Sequence, residues 1–236
     1  MIASRTTTDL RHERASRVTI TKEQCWTAAM AFPLLAAPVA WMYGAPSGHW
    51  LTTLCGLILV AVLFTCAATD LRGHRIYNWA TYSAFLWAVM INLVASIGPG
   101  EPPAWVGAIG IGQSLGGAAL CFLITFAGYQ MSGRGAGDVK LGAVIGALLG
   151  VHGGVFAVAY SYIVAAVAII LWSAWASGPT AIVKAGLRTI GKVLGPLWPF
   201  PPTAADSALL LRPIPLGPYF AIGTLLVVLE LVPTWH

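Results

Sequence analysis

Long apolar stretches are the feature of this sequence that most constrains its fold. A membrane-spanning helix needs about 20 mainly apolar residues, and six such stretches occur at about 25–44, 50–69, 76–97, 105–128, 153–176 and 216–234, with a shorter seventh at about 139–151. Only 9% of the 236 residues are charged, far below the share in a water-soluble domain. The alternating pattern of membrane barrel strands is absent. We therefore predict an all-α, polytopic membrane helix bundle with about seven transmembrane helices.

The positions of the basic residues predict how these helices are oriented. All 13 Lys and Arg residues precede the first stretch or fall at alternate connections between later ones, whereas segments 45–49, 98–104 and 151–153 contain none. Basic residues accumulate on the cytoplasmic side of membrane proteins. We therefore expect a cytoplasmic N-terminus and a C-terminus outside. The net charge of +5 then reflects topology instead of a nucleic-acid partner.

The chain is predicted to begin with a cytoplasmic basic tail at 1–24 and an N-terminal transmembrane anchor at 25–44. The run 36–40 is similar to a signal-peptidase site. We favour an uncleaved anchor because the basic segment before it is long and hydrophobic helices follow at once; cleavage would leave six spans in the same orientation. Residues 177–213 are predicted to form a cytoplasmic loop, first amphipathic and basic, then rich in proline.

The cysteines and histidines give no sign of a metal site or a disulfide framework. The four cysteines form no CxxC pair and lie in apolar stretches, and the five histidines are scattered over both predicted sides. We therefore expect no metal and no cofactor, with the cysteines serving as packing residues.

Two aspartates are the strongest candidates for catalytic residues. Asp70 ends the second apolar stretch and Asp138 opens the fifth, so both are predicted at the cytoplasmic ends of helices. Acids at such positions are costly and often functional. Two carboxyl groups held close together share a proton, which lets one act as a base on water while the other donates a proton to the substrate. Alternatively, Asp138 merely caps a helix and Asp70 is a solvated end residue balanced by Arg72.

Glycines before Asp138 strengthen the catalytic interpretation. Gly135 and Gly137 precede it in a Gly-x-Gly-Asp motif, where they would allow positive φ and close approach of a substrate backbone. The alternative is a flexible cytoplasmic turn.

Three motifs together resemble the type IV prepilin peptidases, the GxGD-type intramembrane aspartic peptidases. The run 135–141 carries the first, and 70–78 is similar to the family's aspartate followed by Ile-Pro-Asn, with Tyr77 in place of the proline. The third is 214–218, at the start of the last stretch. The motifs occur in family order and cover about residues 51–225.

The resemblance implies a hydrolase that cleaves the short basic leader from type IV prepilin-like precursors at the cytoplasmic face of the cell inner membrane. Its six-helix core would span 50–234, behind the N-terminal helix. Segment 45–49 is too short to hold the methyltransferase domain of long family members, which implies the peptidase-only form. The implied catalytic residues are Asp70 and Asp138, and the implied substrate-binding or site-shaping residues are Gly135, Gly137, Lys140, Asn78, Pro215, Gly217 and Pro218.

Two other functions remain open from the sequence. A proton-coupled transporter or channel would use the two aspartates as relay acids, although no internal repeat is evident. An inactive member of the same fold would only bind pilin-like helices.

Small residues at helical spacing predict close helix packing in the core. Gly142, Gly146 and Gly150 form one such stripe, and Gly112 and Gly116 form another. We expect both stripes to pack helices that position Asp138, with homodimer contacts as a less favoured use.

Overall fold

The structure is a computed structural model that describes residues 22–44, 50–97, 108–132, 135–177 and 215–229. The described residues form six helices and no strand, which confirms the all-α class. They are α1 (Lys22–Gly44), α2 (Trp50–Gly73), α3 (Asn78–Ile97), α4 (Ile111–Ser132), α5 (Ala136–Ser177) and α6 (Gly217–Val228). The predicted tail up to residue 21 and nearly all of the 177–213 loop lie outside the described residues.

Five of these helices are long and apolar enough to cross a membrane, so the chain is a multi-pass membrane protein. The predicted count of seven transmembrane helices is not shown. The stretches 139–151 and 153–176 both fall within α5, which is 42 residues long. The stretch 216–234 is described as the 12-residue helix α6.

Helix α5 is interrupted at Gly150, where the backbone has φ 73° and ψ −170°. A Cβ atom on Gly154 would lie 2.8 Å from the Cα atom of Gly146. Residues eight apart in a straight helix are separated by about 12 Å along its axis. The chain therefore doubles back at Gly150, and residues 136–149 (the first arm) pack against residues 151–177 (the second arm). The positive φ explains why glycine occupies this position.

Glycines bring α4 and the first arm of α5 into backbone contact. A Cβ atom on Gly146 would meet the carbonyl oxygen of Gly117 and lie 2.6 Å from its carbonyl carbon. A Cβ atom on Gly142 would lie 2.5 Å from the Cγ2 atom of Thr125. The packing role predicted for the first stripe is confirmed at Gly142 and Gly146, whereas Gly150 ends the first arm. In the second stripe Gly112 has no neighbour within 4 Å, whereas a Cβ atom on Gly116 would lie 3.2 Å from Cγ2 of Val151. The tightest contact of α4 is made by Gly117, outside the predicted stripe.

The first arm of α5 lies at the centre of the bundle. Its side chains at Leu141, Ile145 and Leu148 are fully buried and pack with apolar side chains of α2 and α3 in one core cluster. Cys55, Cys66 and Cys121 are buried free thiols, which agrees with the predicted packing role. Because most residues from 139 to 149 are buried, the core fixes the helix that carries Asp138 near its start.

Candidate active site

A cavity of about 930 Å³ lies where the ends of α1, α2, α3 and α5 meet. Its two acidic lining residues are Asp70 and Asp138, which the sequence separates by 68 positions. The residues that line it are Lys22, Cys25, Thr69, Asp70, His74, Arg75, Ile76, Tyr77, Asn78, Trp79, Gly135, Ala136, Gly137, Asp138 and Lys140.

Asp70 lies in the last turn of α2 and is held by the start of α6. Its side chain is 6% exposed, and the backbone N–H of Gly217 donates a hydrogen bond to Oδ2 at 2.8 Å. The first N–H groups of a helix have no partner within the helix, so a carboxylate there satisfies one of them. This contact connects residues 147 positions apart and fixes one oxygen of Asp70.

Gly217 is suited to this contact because it has no side chain. A Cβ atom there would lie 3.0 Å from Cβ and 3.1 Å from Oδ2 of Asp70, and 3.1 Å from the carbonyl oxygen of Cys66. These distances are tighter than ordinary contact, which begins at 3.4 Å. Glycine therefore allows α6 to approach Asp70 closely.

The segment after Asp70 turns sharply into α3. His74 has φ 49°, a left-handed conformation, and its N–H donates to the carbonyl oxygen of Asp70 at 2.8 Å. The carbonyl oxygen of Tyr77 accepts from the N–H groups of Ala80 and Thr81 at the start of α3. Tyr77, where the resembled family has proline, stacks on Trp79 with ring centroids 6.4 Å apart.

Asp138 is the third residue of α5, within its first turn and not at the cap. Gly135 precedes the helix with φ 99°, and its carbonyl oxygen accepts from the N–H of Asp138 at 2.9 Å. A Cβ atom on Gly135 would meet Oδ2 of Asp138, whereas one on Gly137 would lie 2.9 Å from Cβ of Ile76. The first glycine makes room for the carboxylate, and the second allows α5 to pack against the turn after α2.

Asp70 and Asp138 line the same cavity and are close enough for their charges to interact. Two carboxyl groups facing one cavity are the arrangement that combined acid and base catalysis would use.

Lys140 connects α5 to α3 beside the two aspartates. Its Nζ donates to Oδ1 of Asn78 at 2.8 Å and lies 5.2 Å from the centre of the Tyr82 ring. Both Lys140 and Asn78 line the cavity. This contact holds the two side chains together at the cavity wall.

The structure brings together most of the predicted site residues. Six of them line the cavity, namely Asp70, Asp138, Gly135, Gly137, Lys140 and Asn78. Gly217 contacts Asp70 directly, whereas its neighbours Pro215 and Pro218 are not among the lining residues.

Sequence reasoning missed the contribution of α1 to this cavity. Lys22 and Cys25 both line it, so Cys25 is not simply a packing residue as expected. Their spacing of three places them on one face of a helix. That spacing was visible in the sequence, but nothing in it indicated which helices this face contacts. No group of three or more metal-ligating side chains occurs among the described residues.

The fold and this cavity define a multi-pass membrane protein with a pair of interacting aspartates at the ends of its helices. Among protein families, the model of the type IV leader peptidase family matches residues 57–170. This match identifies the region 57–170 as that of a prepilin leader peptidase, a hydrolase. The matched region includes both aspartates but neither α1 nor α6. Comparison with curated proteins and with solved structures finds no match.

Proposed function

We propose that this protein is an aspartic endopeptidase that removes the short basic leader from type IV prepilin-like precursors at the cytoplasmic face of the cell inner membrane. The observation that carries this proposal is the pair Asp70 and Asp138 lining one cavity at the ends of membrane helices. The match of residues 57–170 to the type IV leader peptidase family supports the class of substrate.

In the proposed reaction, water held between the two acids attacks the scissile peptide carbonyl. The ionised carboxylate accepts a proton from this water as its oxygen bonds to the carbonyl carbon, while the protonated carboxyl donates its proton to the carbonyl oxygen. The carboxyl group that took the proton from water gives it to the amide nitrogen. The other carboxylate accepts a proton from one hydroxyl of the tetrahedral intermediate, the carbonyl group re-forms and the C–N bond breaks. The products are a leader with a new carboxyl terminus and a mature chain with a new amino terminus.

The surrounding backbone supports this chemistry by holding each acid in place. The Gly217 N–H fixes one carboxylate oxygen of Asp70, and the turn at Gly135 fixes the backbone of Asp138. Hydrogen-bonded preorganisation of this kind lowers the cost of reaching the transition state.

We also propose that the cavity faces the cytoplasm and that α5 crosses the membrane twice. Basic side chains of Lys22, Arg75 and Lys140 line the cavity, and basic residues favour the cytoplasmic side. The reversal at Gly150 would return the second arm to that side, giving seven crossings, with α1 as the anchor. A tag placed before Arg5 should be accessible from the cytoplasm, and a tag placed after His236 should be accessible from outside. Two tags accessible from the same side of the membrane would contradict this topology.

Cleavage of a prepilin by isolated membranes tests the proposed function. Membranes containing the wild-type chain should yield the mature pilin and the free leader, identified by mass spectrometry. A relay transporter would produce no cleavage but would dissipate a proton gradient in proteoliposomes. An inactive pilin-binding protein would retain the precursor intact. Either of these results would refute the peptidase proposal.

A further inference from the structure

A second cavity, of about 310 Å³, lies between α1, α2 and α3. Its lining is predominantly apolar, with Phe32 and Phe64 among the exposed side chains. The two hydroxyl groups in the lining donate within their own helices, Thr65 to the carbonyl of Ala61 at 2.7 Å and Ser83 to that of Trp79 at 2.6 Å. The indole N–H of Trp87, also in the lining, is buried without a hydrogen-bond partner among the described residues. Apart from this one group, the chemistry of the apolar cleft fits hydrocarbon side chains.

The apolar cleft adjoins the catalytic cavity. Trp79 lines both cavities. On α1, Lys22 and Cys25 line the catalytic cavity, and Ala29 and Phe32 line the apolar cleft. These four positions follow one another at intervals of three or four residues, so one face of α1 borders both cavities.

Helices α2 and α3 also border both cavities. On α2, Asp70 borders the catalytic cavity, and Thr65 and Ile58 border the apolar cleft. On α3 the lining passes from Asn78 to Trp87, which is about 14 Å at 1.5 Å per residue. The catalytic cavity and the apolar cleft therefore lie next to each other along the same three helices.

We propose that this cleft binds the apolar side chains of the precursor next to its scissile bond, and that α1 is therefore part of the substrate-binding site. This inference rests on the proposed peptidase function. A substrate whose peptide bond lies at the aspartates and whose apolar segment enters the bilayer must leave the catalytic cavity through an apolar opening. The cleft provides that opening.

The size of the cleft indicates how the substrate segment is held. A helix with its side chains is about 10 Å wide, and a cleft of about 310 Å³ is at the small end of ligand sites. One face of the substrate helix therefore inserts side chains into the cleft while its other face contacts lipid. Because the family match begins at residue 57, α1 supplies a wall that lies outside the matched region.

Filling the cleft tests this proposal. Ala29→Phe places an aromatic ring in the cleft, and Ala31→Phe is the matched control, two residues along α1 on the opposite face and outside both linings. For a membrane-embedded prepilin, Ala29→Phe should raise KM about tenfold with kcat unchanged, since displacing one large apolar side chain has an effect of this size. The control Ala31→Phe should have the KM and kcat of the wild type. Equal KM values for both variants would overturn the proposal.

Photocrosslinking gives a second measurement that does not depend on turnover. A photoreactive benzoylphenylalanine replaces Ala29 or Ala31 in an Asp138→Asn background, which holds the precursor uncleaved. Position 29 should form an adduct with the apolar segment of the prepilin, and position 31 should not. Adducts of position 29 with lipid alone, or equal adducts from both positions, would refute substrate docking. Wild-type enzyme that fails to cleave prepilin would instead refute the proposed function itself.

Discussion

Replacing Gly217 with alanine is expected to slow cleavage by displacing α6 from Asp70. The added Cβ atom would lie 3.0 Å from Cβ of Asp70 and 3.1 Å from the carbonyl oxygen of Cys66, and ordinary contact begins at 3.4 Å. Relieving these contacts requires a shift of about 0.3 to 0.4 Å. The same shift lengthens the 2.8 Å hydrogen bond to Asp70 to about 3.2 Å, at the limit of a useful bond.

The expected loss follows from the strength of this hydrogen bond. Hydrogen bonds to charged groups contribute about 1.5–3 kcal/mol, and we expect Gly217→Ala to lose about 1 kcal/mol of that. If the lost interaction holds Asp70 in its catalytic position, kcat should fall about fivefold while KM stays the same. Steady-state cleavage of a prepilin by purified enzyme in lipid nanodiscs measures both constants.

Gly112→Ala is the matched control for this experiment. It adds the same methyl group to a helix, but nothing lies within 4 Å of the new Cβ atom. The control should cleave prepilin at the wild-type rate. A Gly217→Ala enzyme with the same kcat as Gly112→Ala would show that the contact between α6 and Asp70 has no role in catalysis.

Two further predictions concern helix packing and the cavity wall. Gly146→Ala places a Cβ atom 2.6 Å from the carbonyl carbon of Gly117, so it should destabilise the fold by about 1–3 kcal/mol. Its thermal unfolding midpoint should therefore be lower than that of Gly112→Ala. Equal midpoints for the two variants would contradict the observed packing. Lys140→Met removes the 2.8 Å hydrogen bond to Asn78 and should reduce kcat about fivefold. The double variant Lys140→Met, Asn78→Ala should have nearly the same kcat as Lys140→Met, because both substitutions remove the same hydrogen bond. Additive losses in the double variant would show that the two side chains act independently.

The sequence was sufficient to predict the helical class and the two acids of the site. Local patterns determine both, since long apolar stretches require membrane helices, and Asp70 and Asp138 lie where two such stretches meet basic residues. The positive φ expected before Asp138 is confirmed at Gly135. The spacing of the glycines on α5 also predicted its close contact with α4, because small residues allow helix backbones to approach.

Contacts between distant segments could not be predicted in the same way. The hydrogen bond from Gly217 to Asp70 joins residues 147 positions apart, and periodicity carries no information at that separation. The break at Gly150 occurs in an apolar region with neither proline nor charge beside it, so hydropathy alone suggests two spans without showing how their arms pack. The place of Lys22 in the cavity wall depends on how α1 packs, which no local motif determines.

The central claim is that Asp70 and Asp138 act together as the catalytic pair, and reconstituted enzyme tests it most directly. Purified Asp70→Asn and Asp138→Asn enzymes are compared with wild type in proteoliposomes containing a prepilin, with leader release measured by mass spectrometry. Glu23→Gln is the matched control, an exposed acid on α1 that does not line the catalytic cavity. Each aspartate variant should fold normally and release leader at least a thousandfold more slowly than wild type, about 4 kcal/mol in barrier height, while Glu23→Gln remains fully active. Leader release near the wild-type rate by either folded aspartate variant would contradict the account.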